Sequence, residues 1–145
     1  DVDGTVDIDE ADLAKSSVKV RIGTASVDTN NQKRDDDLRS PNFFNAEKFP
    51  AMTFVSKQVV LANGQPVKIV GDLTILDVTR EVELEVADFS QTVTDPWGNI
   101  RRGASASTQI NRSDYGLTWN KALEAGGVVV GDEVHINLEV ELIKQ

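Results

Sequence analysis

The run VHINLEVEL at residues 134–142 alternates apolar and polar side chains without a break, and most of the chain is written the same way. SVKVRIG at 17–23 puts Val18, Val20 and Ile22 on one side and Lys19 and Arg21 on the other. Met52, Phe54 and Ser56 fall in phase within 51–60, and VKIVGDLTI at 67–75 places Val67, Ile69, Gly71, Leu73 and Ile75 in one column. EVELEV at 81–86 sets Val82, Leu84 and Val86 against three glutamates, and GASASTQI at 103–110 alternates small residues. A period of two is the signature of a strand with one wet face and one dry face, as in antiparallel sheets. Asn63-Gly64, Asp95-Pro96 with Trp97-Gly98, and Gly126-Gly127 punctuate the runs as turns. Strands at such short spacing predict an all-β barrel or sandwich.

One stretch does not alternate. NNQKRDDDLRSPNFFNAEKFP at 30–50 holds charges, two prolines and three phenylalanines. It is too long for a hairpin and too aromatic for disorder. It reads as one or two short helical turns around residues 31–48, with Asn30 or Asn31 capping the first and Pro41 beginning the second. Phe43, Phe44 and Phe49 would pin it across the mouth of the sheet.

The opening DVDGTVDIDE has two readings. Asp1, Asp3, Gly4, Asp7 and Glu10 fit positions 3, 5, 6, 9 and 12 of a calcium loop, but the first ligand and the entering helix are absent. Plain alternation places Val2, Gly4, Val6 and Ile8 on one face and the carboxylates on the other, which predicts a strand. The 145 residues predict one domain, 1–145, long enough to bury a core without staples. With no cysteine, disulfides, thiolate metal sites and cysteine nucleophiles are excluded. A net charge of −9 repels phosphate backbones, so nucleic acid is not an expected partner. No apolar run approaches the length of a membrane-spanning helix, and no stable membrane insertion is expected.

Residues able to carry chemistry are few. His135 is the only histidine and stands in a polar column beside Asn137, Glu139 and Glu141. Ser113-Asp114 and Ser40 have no histidine placed near them by strand logic. Asp35, Asp36 and Asp37 are flanked by Lys33, Arg34 and Arg39, which predicts an ion-pair cluster before a cation site. Gly126-Gly127 lacks the lysine and helix start of a phosphate loop. No catalytic residue, metal site or cofactor is assigned. Gly71, Ala104 and Ala106, on inward columns, either leave room for a ligand or relieve crowding where the sheet bends.

The order of motifs resembles the YceI-like family: DGTVDIDEADLAKSSVKVRI, ASVDTNNQKRDDDLRSPNFFNAEKFPAMTF, GDLTILDVTREVEL, DPWGNIRRGASASTQINRSDYGLTWN and GGVVVGDEVHINLEVEL, from Asp3 to the C-terminus. The resemblance implies an extended, lipocalin-like antiparallel barrel of about eight strands. It also implies a polyisoprenoid lipid, of polyprenyl or quinone type, bound in an apolar tunnel. A periplasmic or secreted location (cytoplasmic as the alternative) and a possible homodimer come with it. The chain shows seven strand-like segments, so a first strand region is expected to be missing before Asp1. There are two departures from the family pattern. Asp37 stands where the family often has histidine, and Asp77 where it commonly has glycine before VTR. Asp tolerates a left-handed turn better than most residues, so the hairpin is expected to survive.

On this reading Met52, Phe54, Ile69, Leu73, Leu84, Ile110, Leu117, Trp119, Ile136 and Leu138 form the wall of the tunnel. Phe43, Phe44 and Phe49 form its lid, and Arg34, Asp35 and Arg39 order the lid or meet a polar head group. Burying one five-carbon unit is worth about 3–4 kcal/mol gross, so a carrier needs no charged partner for the tail. Two other classes stay open. One is a lipid-modifying enzyme with Asp114, His135 or Asp35 as acid or base; the other is a calcium-dependent module using Asp1, Asp3, Asp7 and Glu10.

Overall fold

The computed structural model describes residues 1–145. Seven long strands and one of two residues make a single antiparallel sheet. They are β1 (Val2–Asp7), β2 (Ser17–Gly23), β3 (Ala51–Ala62), β4 (Gln65–Ile75), β5 (Val78–Phe89), β6 (Val93–Thr94), β7 (Ile100–Asn111) and β8 (Glu133–Ile143). β1 to β5 pair in chain order as a meander; β5 and then β6 lie on one edge of β7, and β8 on the other. The seven segments read from period-two patterning are all present, the acidic opening among them. β1 pairs with β2 from Val2 to Asp7, which spreads Asp1, Asp3 and Asp7 along an extended edge.

The register assigns a face to every strand. Val20 faces Phe54, Phe54 faces Leu73, Ile69 faces Leu84, and Ala106 faces Val86 and Leu138. Three register shifts break the strict alternation, and the one between Val60 and Leu61 leaves Val67 extra and exposed, outside the inward column expected for it. Between Ser56 and Gln58, Lys57 is an extra residue, so Lys57 and Gln58 both turn outward before Val59 turns in. Between Val86 and Asp88, Ala87 is extra, which returns Phe89 to the inner face opposite Ala104. Such bulges bend a strand and increase its twist. Outside, Lys57 bridges Asp72 (3.2 Å) and Glu81 (3.0 Å), and Lys68 meets Glu83 (3.0 Å).

The sheet curls into a half-barrel and does not close, because β1 and β8 end the path as unpaired edges. Seven strands fall short of the roughly eight that enclose a small barrel. The inner residues nearest those edges stay exposed: Val2 is 67% accessible and Val140 43%. One contact does span the curl. The Arg102 guanidinium, on β7, reaches the Glu10 carboxylate beyond β1 at 3.2 Å. The expected closed barrel is therefore an open trough in this chain.

Side chains fill one end of the trough. Phe54, Leu73, Ile75, Leu84, Ile110, Tyr115 and Leu117 form the buried cluster, with Phe43, Phe44 and Leu76 packed against it. Gly71 belongs to this packing. A methyl group there would stand 2.5 Å from both the Phe54 ring and the Val55 carbonyl oxygen. The glycine thus makes room for a neighbouring ring and leaves no space for a ligand at that point. The β4–β5 turn puts Leu76 (φ 50°) and Asp77 (φ 64°) both in the left-handed region. Leu76 accepts that strain, about 1–2 kcal/mol, while its side chain packs on the cluster. Asp77 keeps the hairpin in place of glycine.

Between β2 and β3 lies α1 (Gln32–Arg39), capped by the Asn31 side chain, which accepts from the Arg34 N–H at 3.0 Å. The expected second helical turn at Pro41 is instead a set of turns, with the Phe44 N–H returning to the Leu38 carbonyl at 2.9 Å. Asp35 is buried, and its Oδ1 accepts from the Thr29 N–H (2.9 Å) and hydroxyl (2.5 Å). The Thr29 hydroxyl, then Arg39 and Arg34, hold the Asp35 carboxyl below the usual range against the opposing effect of burial.

Gly71→Ala should destabilise the fold by about 1–3 kcal/mol with the β-sheet spectrum retained, as overpacking does; an unchanged denaturation midpoint would show that Phe54 can move aside. The Asp35 carboxyl is depressed in the folded state, so its contribution is present above the unfolded pKa of about 3.9 and is lost as pH falls through the folded value. Removing the donor in Thr29→Val should therefore flatten the acid limb of urea midpoints below about pH 4 relative to wild type.

Candidate functional site

The inner face of the half-barrel is an apolar trough with a charge near each end. Along β7 the inward column runs Arg102, Ala104, Ala106, Thr108 and Ile110, facing Leu142, Val140, Leu138, Ile136 and Val134 of β8. Arg80 stands on the same inner face, opposite Leu73. Between Arg80 and Arg102 the face carries aliphatic, aromatic and small side chains with Ser56 and Thr108. The Ser56 hydroxyl is engaged, accepting from the Val18 N–H at 2.8 Å. From Arg102 to Ile110 the column spans roughly 26 Å at about 3.3 Å per residue.

The residues read from the sequence as the wall divide into two sets. Phe54, Leu73, Leu84, Ile110 and Leu117 are buried and already covered by protein. Met52, Ile69, Ile136 and Leu138 are half-buried and flank that cluster, so part of each remains open to the trough. Only 12 of the 145 residues are buried, which a solidly filled barrel interior would not leave.

Phe43 and Phe44 pack on the cluster, and the Phe43 ring meets Trp119 with centroids 5.4 Å apart and planes tilted by 52°. Phe49 stands apart from that cluster; Lys48 lies over its ring at 5.2 Å, and its carbonyl accepts from the Thr24 hydroxyl at 2.7 Å. Two aromatic residues of the predicted lid therefore cover the filled end, and the third anchors the chain beside it.

Trp119 and Leu117 owe their places to Arg112, which sequence reading missed. Its guanidinium is buried and donates to the carbonyls of Gly131 (2.8 Å), Leu117 (2.5 Å) and Trp119 (3.0 Å), with the Asp132 carboxylate at 3.6 Å. Asn120 adds a two-way pairing with Val130, donating to its carbonyl at 2.7 Å and accepting from its N–H at 3.1 Å. One buried arginine thus gathers the loop between β7 and β8 and presents its aromatic residue to Phe43.

Arg34, Asp35 and Arg39 tie α1 to residues 25–29. Arg34 donates to the Thr29 hydroxyl and carbonyl, both at 2.8 Å, and Arg39 to the Ala25 and Val27 carbonyls, both at 2.8 Å. The ion pair expected here is Arg39 with Asp36, at 3.3 Å, while Asp35 is held by Thr29 and Asp37 by Asn42. Backbone carbonyls compete for these guanidinium groups more effectively than neighbouring carboxylates do. His135 is exposed on the outer column and meets Glu133 at 3.1 Å.

The far end of the trough carries a second arginine contact. Arg102 stacks its guanidinium 4.1 Å from the Phe89 ring centre and donates to the Ser90 carbonyl at 2.6 Å. The hairpin before β7 is clamped by Asp95, which accepts from the N–H groups of Trp97 and Asn99, both at 2.9 Å, and pairs with Arg101 at 2.7 Å.

Residues 1–142 match the YceI-like domain family. A UPF0312 protein of Serratia proteamaculans is 43% identical over 118 residues, 81% of this chain and 60% of its own length. One from Enterobacter sp. strain 638 is 38% identical over the whole chain, which covers 71% of it. The chain thus spans less than two thirds of the Serratia protein. A crystal structure of a Campylobacter jejuni YceI protein superposes with a TM-score of 0.82 at 30% identity, over all of this chain and 82% of that one. Burkholderia cenocepacia BcnA, at 24% identity and a TM-score of 0.83 over 98% of this chain and 84% of that one, shares the fold. The Serratia, Enterobacter and Campylobacter relatives carry family names, not enzyme names. With its curled antiparallel sheet and the motif order that first pointed to it, the chain belongs to the YceI-like domain family.

Proposed function

We propose that this protein binds an isoprenoid lipid along the inner face of its half-barrel and carries or stores it without chemical change. The observation that carries this reading is the half-buried apolar surface of the trough, where Met52, Ile69, Ile136 and Leu138 keep part of their area open. A prenyl chain is apolar, narrow and long, which suits a column of small and branched side chains on β7 and β8. Each buried methylene-sized group contributes about 0.8 kcal/mol, so a few five-carbon units outweigh the cost of ordering the tail.

The rest of the geometry supports a carrier. Arg80 and Arg102 stand near the ends of the trough, where a head group can meet charge while the tail does not. The side chains between them include no general base and no activated nucleophile, and His135 points to the outside. Phe43, Phe44 and Trp119 close one end, so the lipid enters along the open side or the far end.

Protein purified from its native host should release a prenyl lipid on organic extraction, detected by mass spectrometry. Repeated absence, together with no uptake of added isoprenoid quinone or polyprenol, would refute the reading. Two tryptophan substitutions separate trough from core. Leu138→Trp, at a half-buried position, should cut lipid uptake by about tenfold or more with a small loss of stability. Leu73→Trp, at a buried one, should chiefly destabilise the fold. Equal effects at both sites would place Leu138 in solid core.

A further inference from the structure

The turn at 95–99, between β6 and β7, satisfies its own backbone. The Asp95 N–H donates to the Asn99 carbonyl (2.9 Å) and the Gly98 N–H to the Asp95 carbonyl (3.0 Å). The N–H groups of Trp97 and Asn99 both donate to the Asp95 carboxylate at 2.9 Å. Pro96 has no N–H to place. The Asn99 side-chain amide reaches the same carboxylate at 2.9 Å, and Arg101 neutralises it at 2.7 Å. The Asn99 amide, then Arg101, hold the Asp95 carboxyl well below the usual range against the effect of burial, so the clamp stays ionised and the turn stays locked.

This locked turn carries Trp97, which is 82% accessible, the most exposed of the large apolar side chains. Val93 and Ile100, on the two strands that lead into and out of the turn, are exposed as well. Because Ile100 opens β7 just before Arg102, the tip projects from the far end of the trough, opposite the filled one. An indole held in water by a fixed backbone gains free energy when something covers it.

The chemistry of the tip selects a lipid surface. A backbone that enters the layer between head groups and acyl chains gives up its water, and every unpaired N–H is costly there. This turn has no unpaired N–H to bring. An indole favours the same layer, since its ring is apolar and its own N–H still meets water or an ester oxygen. A protein strand or loop docking here would find no main-chain donor on the tip. The net charge of −9 opposes anionic lipid, which leaves a zwitterionic surface.

We propose that the 95–99 turn is a docking finger for a zwitterionic phospholipid surface. Trp97 enters the interfacial layer, Val93 and Ile100 follow it, and the far end of the trough is brought against the lipid. One aromatic anchor holds a membrane weakly and reversibly, as one acyl chain does, so the contact is transient.

Phosphatidylcholine vesicles free of prenyl lipid test the docking apart from the carrier reading. Wild type should co-sediment with them, and bromine in the acyl chains should quench part of its tryptophan fluorescence. Trp97→Ser should bind about tenfold more weakly and lose the quenching, while its urea midpoint stays that of wild type, the side chain being exposed. Leu123→Ser removes an exposed apolar residue of the loop between β7 and β8 and should bind as wild type does. Absence of quenching in wild type, or equal losses in the two variants, would overturn the docking finger. Tighter binding to phosphatidylglycerol than to phosphatidylcholine would overturn the zwitterionic assignment. Prenyl-lipid uptake is read in a separate assay, so either property can fail while the other stands.

Discussion

A single sheet with one apolar face has no second layer to stack on, so it must bend round that face to take it out of water. Here the bending is local and visible. The extra residues Lys57 and Ala87 turn β3 and β5, and both restore the apolar phase after them. Phe54 lying across Gly71 sets how closely β3 and β4 approach at the filled end. The outcome is a half-barrel that is packed from Ile75 to Leu117 and open along Ile69, Ile136 and Leu138. The asymmetry between a filled end and an open length leaves part of the inner face uncovered, the surface on which the lipid proposal rests.

Keeping the filled end closed falls to arginines that seek carbonyls. Arg112 gathers the loop that carries Leu117 and Trp119, and Arg34 and Arg39 tie α1 to residues 25–29. A guanidinium has five donors in a rigid fork and can satisfy several loop carbonyls at once, which suits long connections that lack a ladder of their own. The filled end is thus held by aromatic contacts in front and polar contacts behind.

The strands and their faces were legible because a period of two is a direct consequence of strand geometry. The same held for the non-alternating stretch at 30–50, which its composition set apart, and for an asparagine cap on α1, expected at Asn30 or Asn31 and found at Asn31. Other features had no local signal. A bulge is a mismatch between two strands and cannot be seen in either alone, so the inward turn of Val59 and Phe89 was out of reach. Arg112 bonds to carbonyls five to nineteen residues away, and a carbonyl leaves no trace in residue identity. Asp35 was read with its charged neighbours, yet Thr29 holds it, because a short hydroxyl fixed nearby outcompetes flexible cations. Gly71 had two open readings, and only the position of a ring on the adjacent strand decided between them. Tyr115 sits in a turn after β7, where nothing in the sequence marks a hydroxyl as buried and unpaired.

The central claim is that a prenyl tail occupies the inner face of the sheet. Intermolecular nuclear Overhauser effects between a bound prenyl quinone and methyl-labelled protein address it directly. The tail should contact the methyls of Val20, Ile69, Ile136 and Leu138, and should leave those of Val55 and Ile143, on the outer face, silent. Tail contacts confined to Val55 and Ile143, or none to the inner methyls under saturating ligand, would contradict the account.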